Sequence, residues 1–222
     1  MGNIVLLKRV VALVMTSLAL SLQTLAAEVG NADTLLKAIS AQKLDATINV
    51  LNQVKQTRHR GDVLPLLLAL WDNDKKKYPD LPWSFVNLDV VRINIADILV
   101  QAYRNGQVDV DRASIHSFTK KVAAQSADAQ ARGAALLVLG MVDDPRDVQL
   151  LRSAALEERE LVSPSAIVSL GMMCNADAAK TLGSLITTLK SKQFAERARD
   201  ARQLHLEMVK SKGGWCTQRP FV

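Results

Sequence analysis

The residues of this 222-residue chain that could do chemistry are few and lie far apart in the sequence. Its three histidines, His59, His116 and His205, lack the spacing at which neighbouring side chains share a metal ion. No phosphate-binding loop, nucleophile elbow or zinc-protease motif occurs. Residues 72–74, Asp-Asn-Asp, resemble the start of a calcium loop, but its glycine and distal glutamate are missing. We therefore predict a protein that is not an enzyme and that has no catalytic residue, metal site or cofactor.

The two cysteines, Cys174 and Cys216, are the other candidates for chemistry. In an exported protein an even pair of cysteines favours a disulfide. The Gly-Gly-Trp-Cys stretch at 213–216 indicates a turn that returns the tail, residues 211–222, to the body. Loop closure by such a bridge would stabilise the fold by roughly 4 kcal/mol. The alternative is two free thiols, with Cys174 as a small core residue near a helix end; we predict the bridge.

Export is indicated by the N-terminal segment, residues 1–27. Lys8 and Arg9 give it a basic start, an uncharged apolar run follows over 10–22, and small residues stand at its end, a pattern typical of a secretory signal peptide. The alternative is an uncleaved anchor, because residues 10–27 carry no charge. Polar residues in the second half of the segment favour cleavage. We predict a periplasmic or secreted protein, residues 28–222, with no stable membrane insertion after cleavage.

Composition and charge indicate the fold class and the kind of partner. Hydrophobic residues make up 49% of the chain and aromatic residues only 4%, which favours packed helices over a sheet rich in aromatic side chains. Without Lys8 and Arg9, 26 basic residues face 22 acidic ones. Because this excess is small and spread along the chain, nucleic acid is not an expected partner.

The elements that must position these residues are predicted by an internal repeat of 31 residues. Leu139-Gly140-Met141 recurs as Leu170-Gly171-Met172, and apolar residues on both sides recur at intervals of three and four, which indicates helices. A breaker interrupts each copy, at 143–145 and at 175–177. The unit is therefore two short helices joined by a turn. The glycines fit a close approach of two helices, or alternatively a helix cap or kink.

The same division extends over residues 28–222 and predicts five helical hairpins. Their helices are expected at 32–41 and 43–58, 62–71 and 88–104, 108–125 and 128–141, 146–158 and 162–174, and 176–190 and 193–210. A long irregular insertion, residues 72–87, separates the two helices of the second hairpin. A single hairpin cannot bury both of its apolar faces, so neighbouring hairpins must stack.

The stretch DAQARGAALLVLG, residues 128–140, resembles the second helix of HEAT-like repeats of the short bacterial variety. Residues 88–100, with Asp89 and Arg92, repeat its pattern, and residues 194–204 do so loosely. The resemblance implies an all-α, right-handed α-solenoid of about five antiparallel hairpins. It also implies that Arg92 and Arg132 contact the turns between repeats. Ser163 stands where the fourth hairpin should carry this arginine, so we expect any ladder of Asp-to-Arg contacts between repeats to be broken there.

Two surfaces could receive a partner. The insertion is rich in aromatic residues and lysines, and loops of this length are often functional. The alternative for its aromatic residues is to cap the apolar end of the solenoid, which we favour for Trp71. The second surface is the ridge of second helices, which receives partners in HEAT-like proteins; its expected exposed members include Asn94, Asp97, Gln130, Arg132, Ser165 and Ser169. The residues predicted to bind a partner are Lys75, Lys76, Lys77, Tyr78, Trp83, Phe85, Gln101 and Arg104.

These features predict an exported, non-catalytic scaffold or adaptor that binds another protein. The most specific candidate, by analogy with small exported helical solenoids, is a periplasmic immunity protein that neutralises a secreted toxin. Two alternatives stay open. One is an enzyme or accessory subunit with acidic or histidine residues clustered in the groove, and the other is an envelope component that associates with itself through its ends.

Overall fold

The computed structural model describes residues 31–57, 60–211 and 214–222. In this part of the chain the secondary structure consists of helices joined by turns, and there is no strand. The predicted all-α class is confirmed. The predicted signal peptide, residues 1–27, and His59 lie outside the described residues. The helices are α1 (Ala32–Ser40), α2 (Leu44–Gln56), α3 (Leu64–Trp71), α4 (Trp83–Val86), α5 (Asp89–Arg104), α6 (Arg112–Gln125), α7 (Ala129–Val142), α8 (Val148–Ala155), α9 (Val162–Met172), α10 (Ala176–Thr188) and α11 (Lys192–Ser211).

The ten helices predicted from periodicity are all present, and α4, a single turn inside the insertion, is an addition to them. Several begin where a polar side chain caps the first turn. Asp128 accepts hydrogen bonds from the backbone of Gln130 and Ala131 at the start of α7, and Asn175 accepts one from Ala178 at the start of α10. These caps satisfy amide groups that would otherwise lack a partner within the helix.

Contacts between helices follow the order of the chain. We call α1, α3, α6, α8 and α10 the first helices, and α2, α5, α7, α9 and α11 the second helices. Each first helix packs on the second helix of its own pair, and each second helix packs on the next: α2 on α5, α5 on α7, α7 on α9 and α9 on α11. One continuous hydrophobic core, from Leu35 in α1 to Phe194 and Ala201 in α11, runs between them.

The repeated glycines lie where second helices cross closely. A Cβ atom at Gly140 in α7 would lie 2.7 Å from the Ser169 Cα in α9, and one at Gly171 would lie 3.0 Å from the Ala201 carbonyl oxygen in α11. Both glycines lie inside their helices, so the close-approach interpretation is confirmed. The cap of α7 is instead Asp143, which has a left-handed backbone with φ of 61°.

The disulfide between Cys174 and Cys216 is present and joins residues 42 apart in the sequence, with Cα atoms 5.5 Å apart. It fixes the tail to the end of α9. Further along the tail, the Phe221 ring is buried against the Tyr103 ring, edge to face, with centroids 5.2 Å apart. The predicted return of the tail onto the body is therefore confirmed. Within the described residues, the helices are too short or too polar to cross a membrane.

Candidate functional site

The insertion has an exposed basic tip above a partly buried aromatic base. Its lysines, Lys75, Lys76 and Lys77, are all exposed. Tyr78 and Trp83 are half-buried, and the indole Nε1 of Trp83 donates a hydrogen bond to the Tyr78 carbonyl at 3.1 Å. The Lys77 ammonium lies 5.6 Å from the centre of the Tyr78 ring. Tyr78 and Trp83 also pack against the hydrophobic core, so the three lysines are the fully exposed part of the predicted binding surface, and binding by the two aromatic residues stays a prediction.

Phe85 does not belong to that surface. Its side chain is only 7% exposed and packs in the hydrophobic core, as does Trp71 at the end of α3. The expectation that Phe85 is available to a partner is wrong, because its one-turn helix, α4, packs against α5 and buries it. For Phe85 and Trp71 the structure supports the role of covering the apolar core.

Arg92 of α5 is held by intramolecular contacts, as the resemblance implied. Its guanidinium donates hydrogen bonds to the Trp71 carbonyl at 3.2 Å and to Asn87 Oδ1 at 2.8 Å. The guanidinium carbon lies 4.4 Å from the centre of the Trp71 ring and 5.2 Å from that of Phe118 in α6. Burial lowers the pKa of this arginine from its ordinary value. Arg92 thus joins the second hairpin to the third.

Arg132 of α7 makes the equivalent contacts in the third hairpin. Its Nε donates to the Ala123 carbonyl at 2.9 Å, and its two terminal nitrogens donate to the Glu157 carboxylate at 3.0 and 2.5 Å. Ser163, 31 residues later, is buried and its hydroxyl donates to the Ala154 carbonyl at 3.1 Å. Ser163 and Ala154 therefore correspond to Arg132 and Ala123, one repeat further along the chain. Arg132 pairs with a glutamate and not with an aspartate, so the expected Asp-to-Arg contact is not the one seen here, whereas the carbonyl contact is retained at Ser163.

Several polar residues expected on the exposed ridge are buried instead. Arg104 is 4% exposed, and its Nη1 donates to the Met141 carbonyl at 2.5 Å; burial lowers its pKa. Ser169 is fully buried, and its hydroxyl donates to the Leu136 carbonyl at 2.6 Å. Asp97 is buried and paired with Lys55. The expectation that these three residues are exposed is wrong, because each one bonds a group on a neighbouring second helix.

Gln101 occupies an intermediate position. It is half-buried, its amide Nε2 donates to Asp97 Oδ1 at 2.7 Å, and its Oε1 accepts a hydrogen bond from Arg60 at 3.1 Å. Both ends of the side-chain amide are thus used within the protein. Gln130, by contrast, is exposed, and Asn94 and Ser165 are half-buried.

The second helices carry an exposed apolar surface that the sequence analysis did not identify. In the described residues, the exposed large apolar side chains lie in second helices or directly before one, and none lies in a first helix. Val222 in the tail is the exception. Leu161, which precedes α9, is 56% exposed. These side chains are Leu44, Leu88, Leu161, Val168, Leu204, Leu206 and Val209.

A groove lies on this surface where the N-terminal parts of α2, α5 and α7 meet. It encloses about 350 Å³, and its lining combines apolar side chains with asparagine and glutamine. The lining residues are Leu44, Asp45, Ile48, Asn49, Asn52, Val90 and Gln130. Helical periodicity could not reveal the groove, since it marks apolar residues as core candidates and does not tell which of them remain uncovered.

The structure also brings together three chemically active residues that are distant in the sequence. His116 lies on α6, and Asp144 and Asp147 lie on the turn between α7 and α8. His116 Nε2 is 2.6 Å from Asp147 Oδ2, and His116 Nδ1 is 3.8 Å from Asp144 Oδ2. Both carboxylates are buried and the imidazole is half-buried. The sequence analysis did not foresee the acidic neighbours of His116, because they lie beyond α7, on the turn that leads into α8.

Two basic side chains pair with the carboxylates of this cluster. Lys120 Nζ lies 2.8 Å from Asp147 Oδ1, and the Arg146 guanidinium donates to both oxygens of Asp144. The hydrogen bond from the Arg146 side chain is the main reason why the pKa of Asp144 lies below its ordinary value. Asp144 is therefore ionised at neutral pH and can hold a cation.

No family model, no curated protein and no solved structure matches this chain. The HEAT-like resemblance accordingly stays a prediction from the residues that carry it.

Proposed function

We propose that this chain is an exported, non-catalytic scaffold or adaptor that binds another protein on the exposed surface of its second helices. The observation that carries the proposal is the distribution of exposed large apolar side chains, which fall on second helices and not on first helices in the described part of the chain. Apolar side chains gain free energy when a partner removes them from water, so a surface on which they concentrate is a candidate interface. The partner is expected to cover this surface with apolar side chains of its own.

The architecture that would present such a surface is a right-handed, HEAT-like α-solenoid of five antiparallel hairpins. Successive second helices are in contact from α2 to α11, which is the contact order of a stack. The close approaches of Gly133 to Leu161 and of Gly140 to Ser169 support a common direction for α7 and α9, because both partners advance along their helices together. If the other second helices share this direction, they form one ridge of five parallel helices.

The polar side chains of the ridge support an apolar mode of binding. Arg104, Asp97 and Ser169 bond groups inside the protein, so they add little free charge to the outer surface. On α7 and α9 the outer surface combines leucine and valine with polar side chains such as Gln130 and Ser165, whereas α11 also exposes charged side chains of both signs, such as Arg197, Asp200 and Arg202. This composition suits a protein partner, and nucleic acid is not an expected one, because recognition of phosphates needs a basic surface.

Export and a toxin partner form the more specific part of the proposal. The signal-like pattern of residues 1–27 supports export, and the Cys174–Cys216 disulfide is compatible with an oxidising compartment outside the cytoplasm. We propose a periplasmic or secreted location and a role as an immunity protein that neutralises a secreted toxin. The insertion, with Lys75, Lys76, Lys77, Tyr78 and Trp83, would form a second contact region beside the ridge.

The test is neutralisation of the toxin candidate encoded beside this chain. The candidate is exported to the periplasm with and without this protein, growth is recorded, and the affinity of the purified pair is measured by titration calorimetry. We expect rescue of growth by the wild type. The double variant L161D/V168D on the ridge should lose it, because two desolvated carboxylates would oppose the partner.

The matched control is Q149D/S153D, which places the same two charges at exposed positions of α8, the first helix of the same hairpin. This control should rescue growth like the wild type. Equal loss in both double variants, or equal rescue in both, would overturn the ridge as the binding surface. If the protein encoded by the neighbouring gene neither binds this chain nor is neutralised by it, the immunity role is overturned. The scaffold proposal would then be tested with other partners.

A second candidate function is self-association through the last hairpin. It is favoured by three exposed apolar residues on α11, namely Leu204, Leu206 and Val209. Light scattering should show a mass that grows with protein concentration if this helix stacks on another copy, and L206D should abolish that growth. A constant monomer mass would reject this candidate.

The enzyme alternative required an acidic or histidine cluster in the groove between second helices. The cluster of His116, Asp144 and Asp147 lies on α6 and on the turn after α7, not in that groove. We therefore keep the non-catalytic proposal and treat this cluster separately.

A further inference from the structure

We propose that His116, Asp144 and Asp147 form a binding site for a divalent transition-metal ion such as Zn²⁺. The three residues come from two hairpins, and one donor atom from each lies within 4.8 Å of the others. An imidazole nitrogen and two carboxylate oxygens form a donor set that Zn²⁺ accepts in proteins. A metal ion here would tie α6 to the turn that leads into α8.

The distances are close to those that coordination needs. Zn–N and Zn–O bonds of about 2.0–2.2 Å in a tetrahedron place neighbouring donor atoms roughly 3.3–3.6 Å apart. His116 Nε2 and Asp147 Oδ2, now 2.6 Å apart, would have to separate by about 0.7–1 Å, and donor atoms 4.8 Å apart would have to approach by about 1.2–1.5 Å. Rotation of the imidazole and of the carboxylates supplies movements of this size without a change in the helices.

The charges of the site also favour a cation. Asp147 is fully buried and Asp144 nearly so, and two buried carboxylates are costly unless positive charge compensates them. The present counter-charges come from Lys120, whose side chain is 45% exposed, and from Arg146, whose side chain is 77% exposed. These long, exposed side chains can move away, whereas the buried carboxylates and the half-buried imidazole remain at the cluster.

Asp147 supplies a second, independent indication. Its Oδ1 is buried and accepts no hydrogen bond of regular geometry from the described residues, although the Lys120 ammonium lies 2.8 Å away. A buried carboxylate oxygen without a regular hydrogen bond is uncommon in proteins. Either oxygen of Asp147 could bind the metal ion, Oδ2 beside His116 or Oδ1 once the ammonium leaves, so Lys120 would act as a competitor for the metal ion.

An access route is present beside the cluster. A cavity of about 520 Å³, lined by His116 and Arg146 together with Arg112, Val110, Phe221 and Val222, opens on the imidazole. It has room for the ion to enter and for water to complete the coordination shell. Such a site with three protein ligands and an open position differs from closed structural zinc sites, which use four protein ligands.

The experiment is a metal titration of the full chain, expressed for export so that the disulfide forms and carrying no polyhistidine tag. Zn²⁺ affinity is measured by competition with a chromophoric chelator, and Co²⁺ absorption reports the coordination geometry. We expect one Zn²⁺ per chain, and an affinity at least tenfold lower in H116Q and in D147N. We expect K120M to bind Zn²⁺ at least threefold more tightly, because its competing ammonium is gone.

K121M is the matched control, since Lys121 is the exposed neighbour of Lys120 on the same helix. It should bind Zn²⁺ like the wild type. Absence of stoichiometric binding, or binding unchanged in H116Q and K120M, would overturn the proposal and leave an ion-pair network that joins the two hairpins. If D147N does not fold, K120M and the Co²⁺ spectrum of the wild type decide, because neither depends on loss of a buried carboxylate.

Discussion

Replacement of Gly140 by alanine tests how closely the second helices pack. The added Cβ atom would lie 2.7 Å from the Ser169 Cα and 2.9 Å from the Ser169 carbonyl oxygen in α9. Non-bonded carbon atoms rest at about 3.5–4.0 Å, so α7 and α9 would have to separate by roughly 1 Å. The nearest atoms belong to the backbone, and rotation of a side chain therefore cannot relieve the overlap.

The expected magnitude follows from two opposing effects. Overpacking of a close contact costs about 1–3 kcal/mol, whereas alanine stabilises a helix by roughly 0.5–1 kcal/mol relative to glycine. Separation of the helices would also lengthen the hydrogen bond from Ser169 to the Leu136 carbonyl, now 2.6 Å. We expect G140A to lower the free energy of unfolding by about 1–2 kcal/mol, and its Tm by about 2–8 °C for a chain of this size.

Gly183 provides a matched control in the neighbouring helix α10. A Cβ atom there would meet only Arg202 Nε at 3.6 Å, which is an ordinary contact with a flexible side chain. G183A should therefore raise the free energy of unfolding by about 0.4–1 kcal/mol. Urea unfolding followed by circular dichroism measures both variants. If G140A is as stable as the wild type, or if the two variants shift stability in the same direction, the close approach of α7 and α9 is refuted.

Three further predictions concern the disulfide, an acidic turn and the insertion. Reduction of Cys174–Cys216 opens a loop that spans 42 residues and should cost about 4 kcal/mol, or about 8–16 °C in Tm; calorimetry with and without reductant measures this, and an unchanged Tm would count against a stabilising bridge. Because the pKa of Asp144 is lowered, chiefly by Arg146, its ionised form stabilises the fold above the ordinary carboxyl pKa near 3.9, and that stability is lost as pH falls through the lower native value. R146Q should therefore be less stable than the wild type at pH 7 in urea titrations, and the difference should vanish in acid; a difference that persists there would contradict the assignment. W83A should weaken partner binding at least tenfold with unchanged helix content by circular dichroism, whereas loss of helicity would show that Trp83 covers the core.

The helices could be predicted because their signals are local. Apolar spacing of three and four residues, caps such as Asp128 and breakers such as residues 143–145 act within one or two turns, so the chain itself states where each helix begins and ends. The glycines left two interpretations open, a close approach or a helix cap or kink, and the contact between α7 and α9 decides for the close approach. The boundaries that differ most from the prediction lie at the ends of long turns. The helix α6, for example, was predicted to begin at 108 and begins at Arg112.

The direction in which polar side chains point could not be predicted. Arg104 donates to Met141, which is 37 residues away, and His116 meets Asp147, which is 31 residues away. Such contacts depend on how one hairpin sits against the next, and periodicity does not encode this offset. From the sequence we therefore expected Arg104 on an outer surface and did not foresee the acidic neighbours of His116. Phe85 was misjudged because its burial depends on the packing of α4 against α5.

The degeneracy of the repeat has a physical explanation in the carbonyl groups at the ends of the first helices. The last turn of every helix leaves carbonyl oxygens without partners inside the helix. In three successive hairpins a side chain of the second helix donates to one of them. The three pairs are Arg92 with Trp71, Arg132 with Ala123, and Ser163 with Ala154.

The position therefore requires a hydrogen-bond donor of suitable reach and does not require arginine. Ser163 satisfies the requirement because it is buried close to the Ala154 carbonyl, whereas Arg132 reaches further and can also pair with Glu157. A serine in place of an arginine looks like a lost motif in the sequence, yet it preserves the contact that closes the hairpin. The residue type at this position can thus change while the contact between the two helices is maintained.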